Sequence, residues 1–219
     1  MNLRKVSPKR EYVWDEGIAY AVGLITTDGN LSPDGRHIDL TSKDVEQLKN
    51  FMICIGKQVP LGTKISGYTG KRTPRIQFSD VALYRFLMQA GLRPAKSKTL
   101  GALQIPAKYF YSFLRGHFDG DGYFYSYWDK RWKNSFMYYL AFTSASPNHL
   151  RWLREKLQTL LGVHGHITKA KKQSAEQLKY AKREAAIILH KMYPNARVTC
   201  LTRKRLKVLR VFASIGLTL

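Results

Sequence analysis

Asp28 and Asp121 stand 93 residues apart in the same unfavourable setting. Each follows an apolar run with helical spacing, EGIAYAVGLITT (Glu16 to Thr27) and KYFYSFLRGHF (Lys108 to Phe118), and each is followed by glycine. A glycine beyond the last periodic residue is a natural helix stop, because it takes positive φ at little cost. Both carboxylates are therefore expected at helix C-termini, where the backbone dipole is already negative. The first run carries Gly23 and Thr27 four apart, with Ala19 a turn earlier, and the second carries Gly116 and Gly120. Small residues at that spacing let two helix backbones approach closely. If the helices pack on these faces, the two carboxylates meet, and like charges a few ångströms apart repel. A hard divalent cation such as Mg²⁺, which takes oxygen ligands and keeps several waters, relieves such a pair. The carbonyl of Thr27 or Gly29 and that of Gly120 are candidates to complete its shell. An ion so held activates water and stabilises the leaving oxygen of a phosphodiester. The run Asp119-Gly120-Asp121-Gly122 has two simpler readings: an ordinary turn, or a calcium loop. The loop is excluded, since Lys130 occupies the twelfth position from Asp119, where Glu is required.

The elements around these aspartates repeat. After each Asp-Gly comes an alternating, strand-like run ending in Thr-Ser: RHIDLTS (Arg36 to Ser42) and FMYYLAFTS (Phe136 to Ser144). A helix with a polar first residue suited to capping follows each, beginning at Asp44 and at Ser146. A second hairpin-like stretch comes next, TKISGYTGKRTPRIQFS and then HITKAKKQSAEQLKYAK, and a closing helical run, DVALYRFLMQAGL and then REAAIILHKMY. The pattern predicts an α+β fold: a tandem pseudo-twofold repeat of αββαββα units, each with a four-stranded antiparallel sheet. The expected boundaries are 1–93 for the first half, 94–107 for a connecting segment and 108–219 for the second half. Duplicated units tend to pack about a pseudo-twofold axis, as homodimers do about a true one.

Thirty-seven Lys and Arg against fifteen Asp and Glu give a formal charge of +22, an excess that calls for a polyanionic partner. No stretch reaches the roughly 20 apolar residues that cross a bilayer. The N-terminus leads into no apolar signal core, so secretion is not expected. The partner is expected to be nucleic acid, inside a prokaryotic cytoplasm or an organelle matrix. Cys54 and Cys200 read as buried, reduced thiols, too few for a disulfide framework or zinc ribbon. The chain begins with Met and lacks splice-junction residues at its ends, which argues against an intact intein.

AVGLITTDG (Ala21 to Gly29) and LRGHFDGDG (Leu114 to Gly122) resemble the two motifs of a monomeric LAGLIDADG homing endonuclease, and the repeat order extends the resemblance over nearly the whole chain. Leu114, Gly116, Asp119, Asp121 and Gly122 agree with the motif in the second copy. Gly23, Leu24, Ile25, Asp28 and Gly29 agree in the first, where Thr26 replaces the first aspartate. The resemblance implies an enzyme that hydrolyses both strands of a long, near-palindromic DNA site, as a monomer with no obligate protein partner. It implies Asp28 and Asp121 as catalytic and metal-binding acids, a structural role for Asp119, and Mg²⁺ or Mn²⁺ as cofactor, with Ca²⁺ supporting binding without cleavage. It also implies a basic residue near the metals. The candidates are Lys96 or Lys98 in RPAKSKTL and Lys204 or Arg203 in LTRKRLK. Lys96 lies 55 residues past Thr41 and Lys204 lies 61 past Thr143, which fits the repeat. Gln77 is a further candidate active-site polar group. The alternative on the same fold is an RNA maturase or a non-cleaving DNA-binding protein.

A β-ribbon presents alternate side chains to base edges in the major groove. The candidate DNA contacts are Arg36, Lys64, Tyr68, Arg72, Arg75 and Gln77 in the first half. In the second they are Tyr125, Tyr127, Lys130, Arg131, Lys169, Lys171 and Lys179. A one-residue register error reverses the face of every member of such a set.

Overall fold

In the computed structural model, which describes residues 11–67, 69–132, 135–169 and 175–219, the two motif runs form α1 (Glu16–Asp28) and α4 (Phe110–Asp121). The Asp15 carboxylate caps α1 by accepting from the Ile18 N–H at 2.6 Å, satisfying a donor that the first helical turn leaves free. The two helices touch backbone to backbone. A Cβ at Gly23 would lie 2.2 Å from the Phe113 carbonyl oxygen, and one at Gly116 would lie 2.1 Å from that of Tyr20. The small-residue faces read from the sequence are thus the contact itself.

The glycines that end these helices have a different reason from the expected one. Gly29 and Gly122 have φ −90° and −81°, ordinary extended backbone. What they lack is room: a Cβ on either would come within 2.6 Å of the Cα of Ile25 or Phe118. The chain leaves each helix directly into a strand that doubles back past the final turn.

α1 is followed by β1 (Gly29–Leu31), β2 (His37–Thr41), α2 (Val45–Ile55), β3 (Gly62–Ile65), β4 (Arg72–Ser79) and α3 (Val81–Gln89). α4 is followed by β5 (Tyr123–Trp128), β6 (Phe136–Ser144), α5 (Pro147–Leu161), β7 (His166–Lys169), β8 (Glu176–Ala181), α6 (Lys182–Met192) and α7 (Thr202–Ser214). The fold is α+β, with two antiparallel four-stranded sheets ordered β1-β2-β4-β3 and β5-β6-β8-β7. One face of each sheet meets the helices. Ile38, Leu40 and Ile76 are buried there in the first sheet, and Phe124, Leu140, Phe142, Leu178 and Tyr180 in the second. Alternation sends the intervening residues to the opposite, open face.

Three features depart from the sequence reading. α7 was not anticipated, although its buried residues Lys204, Val208 and Phe212 recur every four positions; the dense basic charge of the run obscured that apolar stripe. Asp44 and Ser146 precede α2 and α5, but neither side chain caps its helix. Asp44 instead accepts from the Arg203 guanidinium at 2.9 and 2.6 Å, and the Ser146 hydroxyl donates to the Leu100 carbonyl. Finally, residues 94–107 are more than a connection. They form a short 3-10 turn at Lys96–Lys98 and bury Lys96, Leu100, Leu103 and Ile105.

Candidate active site

Asp28 and Asp121 close the C-termini of the two touching helices. A Cβ on Gly120, the residue before Asp121, would lie 1.9 Å from the Thr27 hydroxyl and 3.1 Å from the Asp28 carboxylate. Burial, then repulsion from Asp121, raises the Asp28 carboxyl from the usual 3.8 to about 6. The opposing influence is the Gln47 side-chain amide, which donates to Asp28 Oδ2 at 2.6 Å. Asp121 is also raised by its partly desolvated surroundings, but it is the more open of the two, so water screens it and the cost of crowding falls chiefly on Asp28.

Two buried lysines flank the pair. Lys96 donates to the Gly29 carbonyl. Lys204 donates to the carbonyls of Phe118 at 2.6 Å, Asp119 at 2.8 Å, Gly120 at 3.1 Å and Gly122 at 2.6 Å. The carbonyls left free at a helix end thus find a cation, as the dipole favours. Burial lowers both ammonium groups to about 8, against the attraction of the nearby aspartates. The alternatives are placed elsewhere: Lys98 is exposed and Arg203 is engaged by Asp44. The carbonyls of Gly29 and Gly120, candidates for metal ligation, accept from these lysines here.

Asp119 faces away from the pair, into the interface between the halves. Its Oδ2 accepts from the Tyr20 hydroxyl at 2.8 Å and from the Leu201 N–H at 2.7 Å, so it joins α1 to the start of α7. Thr26, its counterpart, bonds only within its own helix, to the Val22 carbonyl.

The halves diverge just behind the carboxylates. Gln47 lies six residues past Thr41, and six past Thr143 stands His149. Where Gln47 clamps Asp28, His149 instead stacks on His117 at 5.2 Å with its Nδ1 3.0 Å from the Gly101 carbonyl. A cavity of about 90 Å³ opens there, lined among others by Asp121, His117, His149, Thr27 and Ser97. Burial holds His149 down at about 4 and His117 well below its usual value, so both rings are neutral. Sequence reasoning missed Gln47 and His149, although the matched spacing from the Thr-Ser pairs was their signal.

The remaining sequence candidates sort by strand parity. Lys64, Arg75 and Gln77 share the open face of the first sheet; Arg72, opposite Ile65, has the other parity. Arg75 sits 3.3 Å from Asp39, directly beside Gln77 on the neighbouring strand position. Gln77 is two strand spacings, roughly 10 Å, from Asn30, so it borders the carboxylate pair at a distance. Arg36 lies in the turn before β2 with Asp34 3.7 Å away. Tyr125, Tyr127 and Lys179 share the open face of the second sheet, while Lys169, opposite Glu176, has the other parity. Lys130 and Arg131 are in the turn between β5 and β6, where Arg131 pairs with Asp129 at 3.0 Å. Tyr68 and Lys171 lie outside the described residues.

The chain has the LAGLIDADG fold: its repeated α+β units align over most of their length with solved structures of that kind. It is similar to the homing endonuclease I-WcaI bound to its DNA recognition sequence, at 13% identity and TM-score 0.64, covering 95% of this chain and 96% of that one. It is similar to the N-terminal LAGLIDADG domain of DUF199/WhiA, at 19% identity and TM-score 0.55, over 84% and 83%. It is similar also to I-DmoI in complex with DNA and Mn, at 20% identity and TM-score 0.54, over 83% and 98%. No family sequence profile and no curated protein sequence matches it. Identities this low carry the fold alone. Among the described residues no helix is long and apolar enough to cross a membrane.

The charge arrangement has a measurable signature. Asp28 and Asp119, both raised to about 6, keep protons that the unfolded chain has lost, so stability falls as pH rises from about 4 through 6. Lys96 and Lys204, lowered to about 8, release protons that the unfolded chain retains, so stability recovers from about 8 toward 10.5. Melting in a chelator is expected to show a trough between about pH 6 and 8. A flat profile would contradict this arrangement of charges.

Proposed function

We propose that this chain is a divalent-metal-dependent endonuclease that cuts double-stranded DNA at a long, two-part site. The observation that carries this reading is the carboxylate pair on two helices in backbone contact, with the Asp28 carboxyl raised by burial and then by its neighbour, and two buried lysines alongside. The donor set suits a hard cation. Two carboxylates with free water positions are typical of Mg²⁺ or Mn²⁺. Asp28 and Asp121 would hold the ion, with the Thr27 carbonyl as a candidate third ligand; those of Gly29 and Gly120 could join only by exchanging the lysines that they accept from here. When bound, the ion supplies an activated water and charge stabilisation at the leaving oxygen. Gln47 fixes the Asp28 carboxylate in one orientation. Lys96 and Lys204 keep positive charge at both helix ends, where the scissile phosphates would approach. The open sheet faces, with Lys64, Arg75, Gln77, Tyr125, Tyr127 and Lys179, are the DNA-reading surfaces, and the turn residues Arg36, Lys130 and Arg131 meet phosphate. The protein acts as a monomer whose halves, 1–93 and 108–219, each take one half-site.

Incubation of the protein and Mg²⁺ with a plasmid library carrying the DNA that flanks this reading frame should yield linear product. Binding without any cleavage would favour the non-cleaving alternative. Affinity for a cleaved site should fall by about 10³ or more between 50 and 200 mM salt, as expected for six to ten neutralised phosphates. A shallow response would contradict a long footprint.

A further inference from the structure

The two sheets share a backbone but present different chemistry. In the second, Tyr123, Tyr125, Tyr127 and Tyr139 form one continuous stack on the open face. Successive ring centroids are 5.6 Å (Tyr123–Tyr125), 5.1 Å (Tyr125–Tyr139) and 6.3 Å (Tyr127 to both Tyr125 and Tyr139), with planes within 26° of parallel. Tyr125 lies directly opposite Tyr139 in the ladder, and Met137 opposite Tyr127 extends the apolar surface. The open-face positions Asn30, Asp39 and Gln77 of the first sheet are polar; Asn30 stands where the second has Tyr123, and β1 ends at Leu31, before any position that would match Tyr125 or Tyr127.

The rings spend their faces on one another. Tyr123, Tyr125 and Tyr139 are half-buried and Tyr127 is 41% exposed, and the Tyr123 hydroxyl donates to Gln177 Oε1 at 2.6 Å, so the surface left to a partner is largely ring carbon. Unpaired bases bind proteins by stacking on free aromatic faces, whereas these rings stack on one another. Duplex DNA offers its groove edges instead. An extended aromatic edge gains by covering apolar surface, and the apolar group that a base pair displays in the major groove is the thymine 5-methyl.

We propose that the tyrosine ladder reads thymine methyl groups, so that the half-site under the second sheet is thymine-rich while the half-site under the first is read by hydrogen bonds. This rests on the DNA-binding reading above and adds that the two half-sites differ in chemistry despite the pseudo-twofold backbone.

The test begins with selection of duplexes from a randomised library by the whole protein in Ca²⁺. The selected duplex is then remade with deoxyuridine for thymidine in one half at a time, which removes only the methyl groups. Loss of three or more methyls from one half should weaken binding about tenfold or more, and the same change in the other half less than about twofold. Selection with Tyr127→Ser, at an exposed position near the strand end, should lose thymine preference in that same half, as should Tyr125→Ala; melting curves of both variants verify folding. Equal methyl effects in both halves, none in either, or altered preference in the opposite half would overturn the proposal. If a duplex is selected and cut without a methyl effect, this inference alone fails. If no duplex is enriched, the DNA-binding reading fails and takes this one with it.

Discussion

Asp28→Asn is expected to reduce strand cleavage by about a thousandfold or more, because several kcal/mol of transition-state stabilisation at roughly 1.4 kcal/mol per tenfold depend on an intact metal site. Target binding in Ca²⁺ should weaken far less than cleavage. The same substitution should stabilise the metal-free protein. Asp28 titrates at about 6 in place of 3.8 because its charge is half-buried beside Asp121. Asparagine removes that charge and still accepts from Gln47. At 1.36 kcal/mol per unit, the expected gain above pH 6 is about 1–3 kcal/mol. Asp121→Asn should abolish cleavage equally, with a smaller stabilisation because its carboxylate is more exposed. Asp119→Asn separates the roles: it leaves the pair intact but weakens a buried junction between Tyr20 and Leu201. Single-turnover cleavage assays together with chelator melts check all three. Full cleavage by Asp28→Asn would overturn the mechanism, and a destabilised metal-free Asp28→Asn protein would overturn the account of charge crowding.

Gly116→Ala is expected to be the most damaging single-methyl change. Its Cβ would stand 2.1 Å from the Tyr20 carbonyl oxygen and 3.2 Å from the Gly23 Cα, so backbone rather than a side-chain tip must yield. Overpacking of this kind costs about 3 kcal/mol or more, a large share of the roughly 5–15 kcal/mol that holds a protein folded. For a chain of this size the melting temperature should drop about 6–12 °C. Even where the variant folds, parting the helices moves Asp28 away from Asp121, so cleavage should fall beyond what the folded fraction explains. Gly101→Ala is the control, since a Cβ there meets nothing within 4 Å, and it should shift stability by less than about 0.5 kcal/mol. Comparable melting of the two variants would show that the helix contact is looser than described.

Much of the site was legible in the chain because it is written in local, repeated signals. Small residues four apart name the contact face of a helix, so Gly23, Gly116 and Gly120 announced that α1 and α4 would meet and bring Asp28 beside Asp121. The Thr-Ser pairs set the repeat in register, which marks Lys96 and Lys204 as equivalents. Parity was harder. Arg72 and Arg75 sit three apart in one strand and cannot share a face, yet only the ladder pairing shows that Arg75 is on the open side. α7 was hidden because its apolar stripe is four residues apart and surrounded by lysine and arginine. The choice between Lys96 and Lys98, or between Lys204 and Arg203, rests on which side chain is buried against carbonyls contributed by a distant helix.

The sequence by itself determined the two-part α+β repeat, the two helix-ending aspartates and the net charge of +22, because periodicity and net charge are properties of the chain alone. Only the tertiary structure decided that Gln47 clamps one acid while its counterpart His149 stands off from the other, and that four tyrosines from two strands align as one surface. These facts depend on which residues become neighbours across strands and between halves, and that is settled by packing, not by order along the chain.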